Sequence, residues 1–77
     1  MNIIYENTDY IIINKPVGLI VENNPFESPT VESLVEEHLK KNKKKPYVGI
    51  VHRLDRVTSG VMVFAKKKRI LRLLNES

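Results

Sequence analysis

Three isoleucines in a row, Ile11, Ile12 and Ile13, set between Tyr10 and Asn14, constrain the fold of this chain more than any other run of residues. β-branched side chains at consecutive positions fit a pleated strand buried on both faces, so the run predicts an interior strand with material packed on either side. Ile3-Ile4-Tyr5-Glu6 predicts a shorter strand before it, and Asn7-Thr8-Asp9 between the two carries turn chemistry. Pro16 and Gly18 end the second strand, the proline by lacking a donor and the glycine by allowing positive φ. Leu19-Ile20-Val21 then reads as a brief third strand.

A helix follows. Ser28 as N-cap and Pro29 at the first helical position predict its start, and Val31, Leu34, Val35 and Leu39 recur at helical spacing as one apolar face. His38 lies beside that stripe with no second ligating residue three or four positions away, so it reads as a partly exposed helix residue rather than a metal ligand. Lys40 and Lys41 suit the helix C-terminus, and residues 42–46 read as a loop. Tyr47-Val48-Gly49-Ile50-Val51 predicts a strand, Thr58-Ser59-Gly60 a turn, and the run from Gly60 to Ala65 another strand. From Lys66 onward, Ile70, Leu71, Leu73 and Leu74 form the apolar face of a second helix. With no repeat and no linker, the expectation is one α+β domain: a largely antiparallel sheet with two packed helices.

Charge is segregated in a way that the net value of +4 conceals. Up to Leu39 there is one basic residue, Lys15, against seven acidic ones; from Lys40 to the end there are twelve basic and two acidic. A second half this basic suits a polyanion, because Lys and Arg release condensed counterions from phosphates. The alternative is that the acidic half folds against the basic half and residues 40–45 form a solvated loop. A chain without cysteine forms neither a disulfide nor a thiolate metal site, and two histidines, His38 and His52, do not make a zinc or iron centre. No metal and no cofactor are expected. The first residues lack the basic start and long apolar run of a signal or spanning segment, which makes a cytoplasmic protein the expectation.

The segment His52-Arg53-Leu54-Asp55-Arg56-Val57-Thr58-Ser59-Gly60 places one carboxylate between two guanidinium groups. If these groups are also close in space, Arg53 and Arg56 favour the ionised form of Asp55. A carboxylate kept ionised in a cleft is a candidate nucleophile or base. The same residues read equally well as a surface ion pair of little energetic weight.

His52-Arg53-Leu54-Asp55, followed by two intervening residues and then Thr58-Ser59-Gly60, resembles the signature of the RluA-like family of RNA pseudouridine synthases. The next residues, from Val61 to Lys66, look like the family's apolar strand ending in Ala-Lys, and Asn14-Lys15-Pro16-Val17-Gly18 is similar to its Asn-Lys-Pro-x-Gly segment. The resemblance implies a catalytic domain that isomerises uridine to pseudouridine in ribosomal or transfer RNA. Asp55 would be the nucleophile or base, with no redox cofactor or ATP because the atoms are conserved. It implies RNA contacts for Arg53, whose flat guanidinium suits the space left by an unstacked base, and for Arg56. Lys15 reads either as a phosphate contact or as a solvated turn residue, and His52 either touches RNA or supports the loop. Thr58 and Ser59 are expected to hold the turn.

Members of the family also carry, further downstream, an aromatic that stacks on the target uracil and a basic partner for the aspartate. Tyr5, Tyr10 and Tyr47 all precede Asp55 and do not match that aromatic. Residues 1–77 are therefore expected to be the N-terminal portion of an incomplete catalytic domain, inactive by itself and needing the missing C-terminal half. A non-catalytic RNA-binding module is the alternative, although the aromatic-rich strand motifs of the common RNA-recognition folds are absent. A protein-kinase reading of His52-Arg53 fails because Leu54 intervenes before the aspartate.

Overall fold

The computed structural model of the chain describes residues 1–76. Strands β1 (Asn2–Glu6), β2 (Tyr10–Lys15), β3 (Gly49–Ile50) and β4 (Gly60–Ala65) form one sheet in the order β1-β2-β4-β3, with every neighbouring pair antiparallel. Helices α1 (Val31–Leu39) and α2 (Lys68–Glu76) complete the α+β domain that the sequence predicts. None of the described helices is long and apolar enough to cross a membrane.

The β1–β2 hairpin closes as its turn residues require: Asn7 Oδ1 accepts from the backbone N–H groups of Asp9 at 2.8 Å and Tyr10 at 2.9 Å. In the ladder, Ile11 faces Phe64 and Ile13 faces Met62, and all four are at most 1% exposed. Val31, Val35 and Leu39 of α1 cover this face and form one apolar cluster with it. A Phe64→Ala change in such a cluster would cost about 3–5 kcal/mol.

Burial of β2 on both faces is not observed. Ile12 and Tyr10 on the other face are half-buried, Asn14 is exposed, and Val61 opposite Asn14 is 64% exposed. The reason lies in α2, which reaches only one end of that face. A Cβ on Gly49 would lie 3.1 Å from Ala65 Cβ and 3.3 Å from Leu71 Cβ, so glycine lets α2 approach β3 and β4 there.

Two boundaries also move. Helix α1 is capped by Thr30, not Ser28: the Thr30 hydroxyl accepts from Ser33 N at 3.1 Å, and Ser33 Oγ accepts from Thr30 N at 2.9 Å. This reciprocal pair satisfies two donors at once, which a cap at Ser28 would not, and is worth about 1 kcal/mol. Residues 19–21 form no strand, because their polar groups serve the helix instead. Ile20 O accepts from Val31 N at 3.0 Å and Val21 O from Glu32 N at 2.9 Å, occupying donors of the first helical turn. The strand expected from Tyr47 to Val51 shortens to Gly49–Ile50, and α2 begins at Lys68 rather than Lys66.

Candidate active site

The chain leaves β3 at Ile50 and returns as β4 at Gly60, and the loop between them carries His52 to Ser59. Leu54 anchors this loop by packing against the apolar cluster. Gly60, at φ 155°, follows closely under it, and a Cβ there would sit 3.3 Å from Leu54 Cδ1. Thr58 N–H donates to Asp55 O at 2.9 Å and closes a tight turn that holds Asp55 exposed at the sheet's rim, outside the core. His52 faces the sheet: Val63 N–H donates to its Nε2 at 3.3 Å, one position beyond the last residue that β3 pairs. That contact favours loop support over RNA contact for this histidine.

Beneath the loop lies Lys15, with no exposed surface at all. Its ammonium donates to Pro16 O at 2.9 Å, Thr58 O at 2.8 Å and Arg56 O at 3.3 Å. Three carbonyl acceptors match the three N–H donors of the charged form. Gly18 adds a fourth link, its N–H donating to Arg56 O at 2.7 Å from a φ of 98°, a backbone conformation that glycine adopts without strain. Burial pushes the Lys15 pKa below its usual value; the Arg56 charge adds to that effect and the Asp55 charge opposes it. The expectation of a phosphate contact or a solvated turn residue at Lys15 is thus corrected. Its alternation with Ile11 and Ile13 puts it on the interior face of β2, where it joins segments 41 and 43 residues away.

The arginines take partners that the sequence reading did not name. Arg53 pairs with Glu22 and Arg56 with Glu27, so neither guanidinium is engaged with Asp55. Arg56 forms a two-pronged contact, including Nη1 to Glu27 Oε2 at 2.6 Å. This pairing holds the Glu27 carboxyl below the ordinary glutamate range and raises Arg56 further. The idea that Asp55 is held between two guanidiniums therefore gives way to an arrangement in which a separate acidic loop takes both.

That loop is itself braced. Asn24 Oδ1 accepts from Phe26 N and Glu27 N, each at 2.8 Å, and Asn23 N–H donates to Glu32 Oε1 at 2.9 Å on α1. Between the acidic loop and the motif loop runs an open groove of ≈500 Å³, lined by Glu22, Asn23, Arg53, Asp55 and Arg56 among others. Glu22 and Glu27 were missed because charge complementarity was read at the scale of halves. Two acids five residues apart in an Asn- and Pro-containing stretch mark an acidic loop but do not point to arginines 31 and 29 residues away.

Two separate motifs meeting around one exposed carboxylate define a class, and the comparisons with known proteins agree. The chain belongs to the RNA pseudouridylate synthase family, whose model matches residues 9–77, and the RluA-like resemblance of its two motifs is borne out. It is 44% identical to ribosomal large subunit pseudouridine synthase D of Buchnera aphidicola subsp. Acyrthosiphon pisum, covering 99% of this chain and 26% of the relative. It is 34% identical to tRNA pseudouridine synthase C of Haemophilus ducreyi, covering 99% of this chain and 30% of the relative. Among solved structures it is similar to human RNA pseudouridylate synthase domain containing 4, with a TM-score of 0.74 and 29% identity, over 97% of this chain and 28% of that one. The chain thus spans between a quarter and a third of the length of these relatives.

Proposed function

We propose that residues 1–77 are the N-terminal portion of a catalytic domain that isomerises uridine to pseudouridine in ribosomal or transfer RNA, in the cytoplasm, with Asp55 as the nucleophile or base. The N1–C1′ bond of the nucleotide breaks, the uracil turns, and a C5–C1′ bond forms. The C5 proton is lost and N1 gains one, so nothing is oxidised and no co-reactant is consumed. Asp55 either adds to the sugar or base and leaves again, or removes a proton to promote elimination.

One observation carries this reading most directly: Lys15 and Gly18 grip the carbonyls of Arg56 and Thr58, fixing the turn that presents Asp55 at an open groove. A preset nucleophile needs such a rigid mount, because misplacement by about 1 Å can cost about a hundredfold in rate. Arg53 and Arg56, on the same groove, are the proposed contacts to the flipped nucleotide and its phosphates. The names of the relatives, which specify ribosomal and transfer RNA, support the substrate class. The rest of the domain supplies what this stretch lacks, and the 77-residue chain by itself is inactive on this reading.

The test is an Asp55→Asn variant of the longer protein that contains this segment. Asparagine keeps the shape but removes the anionic oxygen, so pseudouridine formation should vanish while RNA affinity stays the same or rises slightly. Retained turnover would remove Asp55 from the chemistry, and loss of folding would return it to a structural role.

A further inference from the structure

The cations at the candidate active site are already engaged, whereas the lysines of the loop after α1, at the other end of the sheet, are not. Lys15 is buried under three carbonyls, and Arg53 and Arg56 are paired with Glu22 and Glu27. Following β4 from Gly60 to Ala65 leads about 17 Å away from the Asp55 loop, at about 3.4 Å per residue. There, residues 40–45 leave the C-terminus of α1 with Lys40, Lys41, Lys43, Lys44 and Lys45 all exposed. None of the five is in an ion pair among the described residues.

Local acids do not cancel this charge. Glu6 is held by His38 and Lys66, and Asp9 by Lys67. Glu36 and Glu37 lie one turn before Lys40 and Lys41 on the helix but do not reach them within 4 Å. The helix dipole accounts for Lys40 and Lys41. It does not account for Lys43, Lys44 and Lys45, which lie beyond the first turn past the helix end, where the dipole field has faded. Lys43 lines a cavity of ≈230 Å³ together with Tyr47 and Lys66, so the loop is seated against the sheet rather than trailing from it.

We propose that the loop of residues 40–45 is a second RNA contact, a sequence-independent phosphate clamp that engages the folded RNA at the end of β4 opposite the uridine groove. This rests on the RNA reading of the Asp55 site and locates the electrostatic affinity away from it. The arginines near Asp55 must first release carboxylates, which offsets their gain, whereas the loop lysines release only water and small ions on meeting phosphate. The loop therefore provides affinity and the arginine pair provides placement.

The test is fluorescence anisotropy of the longer protein that contains this segment with a labelled, uridine-containing RNA hairpin, titrated over a range of salt. Replacing Lys43, Lys44 and Lys45 together by Gln should lower affinity roughly tenfold at low salt. It should also flatten the slope of log affinity against log salt by about 2–3, near 0.7–0.9 per phosphate contact. The Arg triple variant at the same positions should restore both, and unchanged circular dichroism would show that the fold is intact. An unchanged slope in the Gln variant, with the wild type binding well, would overturn the clamp while leaving the Asp55 reading standing. No RNA binding by wild type at low salt would overturn the RNA reading and the clamp together, as would binding to anionic lipid vesicles but not to the hairpin.

Discussion

At one end of β2 a buried cation, Lys15, gathers the carbonyls of Pro16, Arg56 and Thr58; at the other a partly buried anion, Glu6, gathers His38 and Lys66. Both devices join segments far apart in sequence, but they leave opposite residues free. Using a lysine to bind backbone carbonyls leaves the Asp55 carboxylate exposed, whereas using a carboxylate to bind side-chain cations leaves the neighbouring loop lysines as uncompensated positive charge. The comparison teaches that the sheet is polarised by its fastenings: the end that holds the candidate nucleophile is locally balanced, and the end without it is basic.

The largest effect expected is at the lysine. Lys15→Met keeps the apolar stem but leaves the carbonyls of Pro16 and Thr58 without their donor, each costing about 1–3 kcal/mol where water does not replace it, while Arg56 O keeps the N–H of Gly18. Relief of the buried charge offsets part of this, so the net loss should be about 2–4 kcal/mol. A domain of this size has roughly 4–12 kcal/mol in all. Urea unfolding followed by circular dichroism would measure the loss. A cost below about 0.5 kcal/mol would mean that the loop is held by Leu54 and Gly18 alone.

Glu6 should matter less and should show a pH signature. The hydrogen bond from Lys66, and then that from His38, hold its carboxyl below the usual glutamate value, against the opposing effect of burial. A carboxyl with a depressed folded-state pKa contributes stability that is fully present above its ordinary value of about 4.5 and is lost as pH falls through the lower folded value. Glu6→Gln should therefore destabilise the chain by about 1–2 kcal/mol at neutral pH. The wild type and the variant should converge in acid, in thermal melts from pH 6 to pH 3. A constant difference across that range would assign the effect to packing.

How much of this polarity was legible in the sequence depends on the reach of each interaction. The hairpin turn at Asn7, the apolar stripe of α1 and strand β4 follow from spacing within a few residues and appear where expected, except that Leu34 stays half-buried beside the Val31, Val35 and Leu39 stripe. The start of α1 was missed by two residues because a proline in a plausible first position competed with the Thr30–Ser33 capping box. Lys15 carried a local clue, since alternation from Ile11 and Ile13 points it inward. A charged residue before Pro-x-Gly nevertheless reads as a turn, and only the tertiary fold supplies three carbonyls from positions 16, 56 and 58. The glutamate partners of Arg53 and Arg56 lie 31 and 29 residues away, beyond any local pattern.

The smallest effect should come from the exposed ion pairs, and its sign distinguishes two meanings of the local balance at the Asp55 end. If Glu22 and Glu27 merely decorate the surface, replacing both by Gln should change nothing. If they hold Arg53 and Arg56 until a phosphate replaces them, the double variant should bind the RNA hairpin a few-fold more tightly, roughly two- to fivefold for exposed pairs. Its salt dependence should steepen as two further cations become available. The thermal midpoint should stay unchanged, because exposed pairs of long side chains add little to folding. In the wild type the same release should appear as tighter binding when pH falls through the depressed Glu27 pKa and frees Arg56, a shift that the double variant lacks. Weaker binding in the double variant would reverse the argument, making the glutamates supports that aim the arginines rather than competitors for them, and the two ends of the sheet would then differ less than their fastenings imply.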